Sequence, residues 1–398
     1  MRSTLLILGL LAKFAVAYDC SVTAIAALLP VKSIVFYATH YDAGATFTPP
    51  PEYNAGGGLP GGGLPGGGPG GPPGAPPGGG GSIIPQAGCI VQGNVSLSAT
   101  SQYSFGLALP DNWNGRFLTV ENGGFSGSVS WGSVVSFFYY RGCSAGGKQG
   151  LKEVEMFPND FDGVVAGAPA WWTTHLQLWN MIVGIWNQPA NSSHYIPPSM
   201  STYLADEVIR ECNAQDSVTD GIVMDPIACK FNATKNLCRA GATDPTTCLN
   251  SDQIATFNKL HSDWVEAGQF IFPSFTLGSE WGWNGLVSFP SPLGTTYVQY
   301  MLGLGPDWTW EDWNPAIILL SDLLNPGHAT ADNFNLAPFY KKGGKLLHYH
   351  GLSDASIANG SSIYFYNQVA KALKPQGIKL DDLYKFYLIP GIGHCAMT

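Results

Sequence analysis

Charge is scarce in this 398-residue chain: 12% of its residues are charged, 19 basic against 28 acidic, for a formal net charge of -9. No cluster of Lys and Arg stands along it, so it lacks the footprint that a polyanion needs, and nucleic acid is not an expected partner. Long apolar runs are also missing. None approaches the ~20 residues of a spanning helix, so no membrane partner is expected. Nor is a cysteine left over, since the eight present are an even number that an oxidising compartment would pair. What the chain has in quantity is hydrophobic residues, 45% of the total. That is enough to bury a large core in one big domain or in a domain with a sizeable insertion.

Residues 1–17 read as a secretory signal: Arg2, the apolar run from Leu5 to Ala12, and Ala15-Val16-Ala17, with cleavage expected after Ala17. Export agrees with four glycosylation sequons, at Asn94, Asn191, Asn232 and Asn359, which acquire meaning in a eukaryotic secretory pathway. From Pro49 to Gly81 the chain is almost entirely Gly and Pro. Such a stretch cannot supply the apolar surface that would offset its ordering, and it reads as a disordered loop interrupting one domain.

Short apolar runs over Phe117–Val120, Val134–Tyr140, Gly163–Ala166, Lys345–His350 and Tyr384–Ile389 predict buried strands. Helical patterns lie over Gly147–Phe157 and Ser361–Leu373. Strands alternating with helices imply an α/β protein with a mostly parallel sheet covered on both faces. The Trp-rich middle breaks this rhythm. The expected organisation is therefore a core of residues 18–170 and 340–398, interrupted by the loop 49–81, with residues 171–339 inserted as a lid domain.

Gly142-Cys143-Ser144-Ala145-Gly146 fits the G-x-S-x-G pattern between an apolar strand and a helix. There the glycines permit a sharp turn that lifts the serine hydroxyl above the sheet, beside helix N-terminal amides able to stabilise an oxyanion. A serine needs a histidine to take its proton, and the histidine needs a carboxylate to fix its tautomer. Asp354 and His394 follow in that order, each in a loop after an expected strand, on the edge where parallel sheets build their sites. Cys143 precedes the candidate nucleophile and Cys395 follows the candidate base. A disulfide between them would hold the two Cα atoms roughly 4.4 to 6.8 Å apart; the alternative is two buried thiols.

The run from Tyr139 to Gly150 (Tyr-Tyr-Arg-Gly-Cys-Ser-Ala-Gly-Gly-Lys-Gln-Gly), then Phe157-Pro158 and Phe161 to Ala170, resembles the signature of the tannase and feruloyl esterase family. The resemblance implies an α/β-hydrolase-like fold. It also implies Ser144 as nucleophile, His394 as base and acid, Asp354 as its orienter, and a Cys143–Cys395 clamp. It implies further disulfides Cys212–Cys229 and Cys238–Cys248, which leaves Cys20 and Cys89 to each other. The oxyanion hole is expected from the amide of Ala145 and one from the glycine turn Asn122-Gly123-Gly124-Phe125, with Gly124 the candidate. The loop Asn213 to Ile222 resembles the family's calcium site, with side chains of Asn213, Asp216 and Asp220 and carbonyls of Val218 and Ile222 as ligands. Oxygen donors in a tight loop suit that ion, although Asn213 stands where the family has Asp. No organic cofactor is expected.

The implied substrates are small phenolic esters, galloyl or feruloyl, free or attached to plant polymers. Trp171, Trp172, Trp179 and Trp186 either line that pocket or form lid core. His348 and His350 read as core rather than a zinc pair, having no third ligand nearby. Two departures from the family point to an alternative, an impaired member that at most binds phenolics. Only 13 residues separate Val120 from Val134, where the family has further elements, and the sequence stops four residues after His394.

Overall fold

Two sheets of different character carry the chain. The computed structural model describes residues 19–30, 32–48, 82–84, 86–96, 98, 102–111, 119, 140–241, 244 and 246–395. The expected signal 1–17, the loop 49–81, the glycine turn 122–125, and the expected strands 117–120 and 134–140 apart from Thr119 and Tyr140 lie outside those residues.

The first sheet is antiparallel and was not foreseen. Helix α1 (Val22–Leu28) begins where Ser21 Oγ accepts the Ala24 N–H at 3.2 Å, a side-chain N-cap. Strands β1 (Ser33–Tyr41), β4 (Gly88–Ser96) and β5 (Gln102–Pro110) follow in the order β1-β4-β5, with β2 (Thr46–Phe47) paired to β3 (Ser82–Ile83) beside them. Cys89 of β4 is bonded to Cys20, which ties the start of α1 to the central strand.

The second sheet is parallel. It is built from β6 (Tyr140–Cys143), β7 (Gly163–Gly167), β10 (Lys345–Gly351) and β11 (Tyr384–Ile389), in the order β11-β10-β7-β6. Within the described residues the strand that ends before Ser144 starts at Tyr140, the last residue of the apolar run read for it, and continues to Cys143. Period-2 alternation puts Val164, Ala166, Leu346 and Tyr384 on one face. There they pack with Leu151 and Val154 of α2 (Ala145–Met156) and with Phe365, Val369 and Leu373 of the helix Gly360–Leu373. The opposite face carries Leu347, 39% exposed, and Tyr387, 53% exposed. The cover expected on both faces is thus incomplete among the described residues, because no helix packs over those two side chains.

Strands β7 and β10 are hydrogen-bonded neighbours, yet the chain makes a long excursion between them. That excursion holds α3 (Thr173–Ile185), α4 (Met200–Cys212), α5 (Ser251–Leu260), the hairpin β8 (Trp264–Glu266) and β9 (Gln269–Phe272), and α6 (Ala316–Leu324). All residues of α3 from Thr173 to Gly184 are buried, so it is the hub of this region. Around it pack Leu204, Phe257, Phe272 and Trp283 in one apolar cluster. The same cluster takes in Ala355, Ile357 and Ala358. The insertion therefore seats directly on the turn that follows Asp354. The remaining long helix, Gly360–Leu373, is α7.

Candidate active site

Ser144 stands between β6 and α2 with φ 62° and ψ -121°, a conformation rarely tolerated by a residue with a Cβ. Its surroundings hold it there. Its N–H donates to Gly167 O at 3.0 Å, and its carbonyl accepts from Lys148 N at 3.0 Å and Ala170 N at 2.9 Å. Close approach requires glycine at the first position of the motif and just after its end. A Cβ on Gly142 would sit 2.4 Å from the carbonyl of Gly146, and one on Gly147 would sit 2.5 Å from Gly167 O. The strand, the turn and the helix can close on one another only without those side chains. Ala145 is the first residue of α2, and amides in a first helical turn have no acceptor within the helix. Its N–H is thus available to an oxyanion; Gly124 lies outside the described residues.

Asp354 and His394 come together from loops after β10 and β11. Leu352 N donates to Ile389 O at 2.9 Å and Ser353 N to Ile392 O at 3.0 Å, which zips the two loops side by side. Asp354 is fully buried, and its Oδ2 accepts from His394 Nδ1 at 2.8 Å. Its Oδ1 accepts from Ser356 N at 2.7 Å and Ile357 N at 3.0 Å. Burial alone would push this carboxyl up, but His394, His350 and their hydrogen bonds hold it well below the usual carboxylate range. Burial likewise works to lower His394, yet the Asp354 carboxylate and its hydrogen bond raise it overall. Cys143 and Cys395 are disulfide-bonded across 252 residues with Cα atoms 5.7 Å apart, so the flanks of Ser144 and His394 are covalent neighbours. Tyr349 Oη donates to Cys395 O at 3.2 Å, fixing the far side of that loop.

The expected histidine pair is core, with polar detail that the sequence did not reveal. His348 and His350 have no exposed surface. His350 Nε2 lies 3.0 Å from Asp354 Oδ2, so a second imidazole besides His394 touches the candidate acid. The spacing of four between His350 and Asp354 at the end of a strand was the one hint in the sequence, and it does not by itself say that the turn folds the second back onto the first.

The tryptophans divide. Trp171 and Trp179 are each 1% exposed and belong to cores, while Trp172 stacks on Tyr364 at 5.0 Å and Trp186 packs near Trp264 at 6.4 Å. The other disulfides, Cys212–Cys229 and Cys238–Cys248, are formed. Of the sequons, Asn191 and Asn232 are exposed and Asn94 is half-buried in β4. Asn359 does not fit as a glycan acceptor. It is 1% exposed, and its Nδ2 donates to Thr276 Oγ1 at 2.6 Å and Leu352 O at 3.2 Å, leaving neither space nor a free amide hydrogen.

The candidate calcium loop folds on itself. Asn213 Oδ1 accepts from Gly221 N, Asp216 Oδ1 from Val218 N and Asp220 Oδ1 from Ile222 N, each at 3.0 Å. This leaves the second carboxylate oxygens of Asp216 and Asp220 and the carbonyls of Val218 and Ile222, an all-oxygen set whose chemistry fits a hard divalent cation. Among the described residues no three His, Cys, Asp or Glu side chains are grouped to hold a metal, so such a site depends on the amide and carbonyl oxygens.

Known proteins share this arrangement of chain. The family model described as tannase and feruloyl esterase matches residues 130–289 and 305–398. The probable feruloyl esterase B-1 of Aspergillus oryzae is 30% identical over 370 residues, covering 77% of this chain and 68% of that protein. The crystal structure of feruloyl esterase B from Aspergillus oryzae superposes with a TM-score of 0.82 at 27% identity, over 94% of this chain and 82% of that one. Tannin acyl hydrolase from Aspergillus niger, at 17% identity, has a TM-score of 0.68 over 95% of this chain and 83% of that one, a likeness of fold alone. With the matched segments spanning the elbow, the insertion and both loops beyond it, the chain belongs to the tannase and feruloyl esterase family of α/β-hydrolase-like carboxylic ester hydrolases.

Proposed function

We propose that this chain is a secreted serine carboxylic ester hydrolase that cleaves phenolic esters, feruloyl or galloyl, through an acyl-enzyme. The observation that carries the reading is the strained turn at Ser144, bonded through Cys143 to the residue after His394, whose Nδ1 is held by buried Asp354. His394 Nε2 takes the Ser144 proton as Oγ attacks the ester carbonyl, and the oxyanion that forms is met by the Ala145 N–H. The imidazolium, stabilised by Asp354, then protonates the departing alcohol. Water, deprotonated by His394, releases the acid and restores Ser144. Secretion is supported by the apolar N-terminal run and by four disulfides among the described residues. The feruloyl esterase relatives favour feruloyl esters, free or on plant polymers, and the loop 213–222 is assigned a structural calcium ion.

The test is release of free acid from methyl ferulate and methyl gallate side by side, with Ser144→Ala as control. Wild type should turn over, and the variant should fall to a residue of about 10³ to 10⁴ over the reaction in water. A fluorophosphonate found on another serine, with Ser144→Ala keeping its rate, would refute the assignment. No acid release and no label on Ser144 would instead support a non-catalytic binder of phenolics.

A further inference from the structure

Behind the candidate acid lies a buried row of polar side chains that the proposed chemistry does not use. Tyr384 Oη is 2.5 Å from His348 Nδ1, and His348 Nε2 is 2.8 Å from Ser362 Oγ. Ser362 Oγ is also 2.7 Å from His350 Nδ1, and His350 Nε2 is 3.0 Å from both Asp354 Oδ2 and Ile357 O. All five side chains are fully buried. We propose that His350 is a positioning residue for the triad: its Nε2–H, held in that tautomer by Ser362, fixes Asp354 Oδ2 and through it aims His394. This rests on the serine-esterase reading of Ser144, Asp354 and His394.

The hydrogens can be assigned from the partners alone. His350 Nε2 faces two acceptors, a carboxylate and a carbonyl, so it must carry a hydrogen. Tyr384 Oη, among the described residues, has His348 Nδ1 as its hydrogen-bond partner. If Nδ1 accepts the Tyr384 hydrogen, His348 donates from Nε2 to Ser362, Ser362 donates to His350 Nδ1, and His350 donates to Asp354. Every hydrogen is then used, and every bond points toward the carboxylate. The reverse order needs His350 as an imidazolium and leaves the Tyr384 hydroxyl without an acceptor, a cost of about 1–3 kcal/mol for a buried donor. Burial also drives His348 toward its neutral form. The groups facing His350 and Asp354 are His394 from the last loop, His348 on β10, Tyr384 on β11 and Ser362 on α7, with Tyr366 beyond Tyr384.

With His350 in place, Asp354 accepts four N–H groups, two on each oxygen, and cannot rotate without breaking them. Sharing Oδ2 with His350 also tempers the carboxylate's hold on His394. Loss of the His350 donor should therefore leave more of that charge to His394 and raise its pKa.

The experiment uses the full chain with His350→Leu, His350→Gln and Ser362→Ala. The readouts are the pH profile on methyl ferulate and 15N shifts of the histidine rings. His350→Leu should lower kcat on the order of tenfold, with KM held within about twofold. It should also move the acid limb upward by about half a unit or more. His350→Gln, whose amide N–H reaches the place of Nε2–H, should recover most of both effects. In wild type the His350 ring should be neutral, protonated at Nε2. A cooperatively melting His350→Leu with wild-type kcat and an unmoved limb overturns the proposal, as does a His350 ring protonated at Nδ1. Should His350→Leu fail to fold, Ser362→Ala decides: an unmoved limb with an unchanged His350 tautomer overturns it. If wild type itself releases no acid, the esterase reading fails, while the ring shifts still decide the tautomer.

Discussion

That Ser144, Asp354 and His394 would be brought together was legible in the sequence, because each follows a strand and two of them are flanked by cysteines that report their proximity. His350 was not legible in its role. A His-x-His pair on one face of a strand is a core pattern, and only the fold shows that the turn after Gly351 returns Asp354 to the second ring. At this scale the pH dependence can be signed. In the proposed chemistry His394 must be neutral to accept the Ser144 proton, and Asp354 raises its pKa above the ordinary 6.5. Activity should therefore fall on the acid side with a midpoint above pH 6.5, while Asp354, held low, stays ionised throughout. A kcat/KM profile with its acid limb centred below pH 6.5 would contradict this picture of the pair.

The elements that present these residues meet where no side chain can stand. A Cβ on Gly351, the last residue of β10, would lie 2.1 Å from Ile392 O and 2.5 Å from Gly393 O, in the loop that carries His394. Backbone cannot yield as a flexible side chain would, so Gly351→Ala must push the acid and base loops apart. A displacement of about 1 Å in a catalytic group costs on the order of a hundredfold in rate. The variant should keep its circular dichroism and lose about that factor in kcat; wild-type kcat would show that the loops slide freely. Strands β7, β10 and β11 were readable as short apolar runs between turn signals. The antiparallel sheet was not. Its central strand β4 has Gly88 through Gly93 buried without alternation, pressed between β1 and β5. A strand buried on both faces loses the period of two that marks a strand in sequence.

On the scale of the whole molecule, the insertion is coupled to the parallel sheet at both loops. Its apolar cluster includes Ala355, Ile357 and Ala358 beside Asp354, and its candidate calcium loop reaches the other side. Ile222, last of the proposed calcium ligands, lies against Gly391: a Cβ built there would be 3.1 Å from Ile222 Cγ1. Gly391 is three residues before His394. An ion gathering Asn213, Asp216, Val218, Asp220 and Ile222 would therefore brace the base loop from outside without touching the reacting groups. Because such an ion binds the folded chain and has no site in the unfolded one, calcium at about a hundred times its dissociation constant adds ~2.7 kcal/mol of stability. Chelation should lower the melting temperature by about 5 °C. Below the melt Ser144 should still react with a fluorophosphonate. Asp216→Ala should melt where the chelated wild type melts and should no longer respond to chelator. Equal melting curves for wild type with and without chelator, together with no calcium by elemental analysis of the purified protein, would show that Ile222 and its loop hold the His394 segment by packing alone.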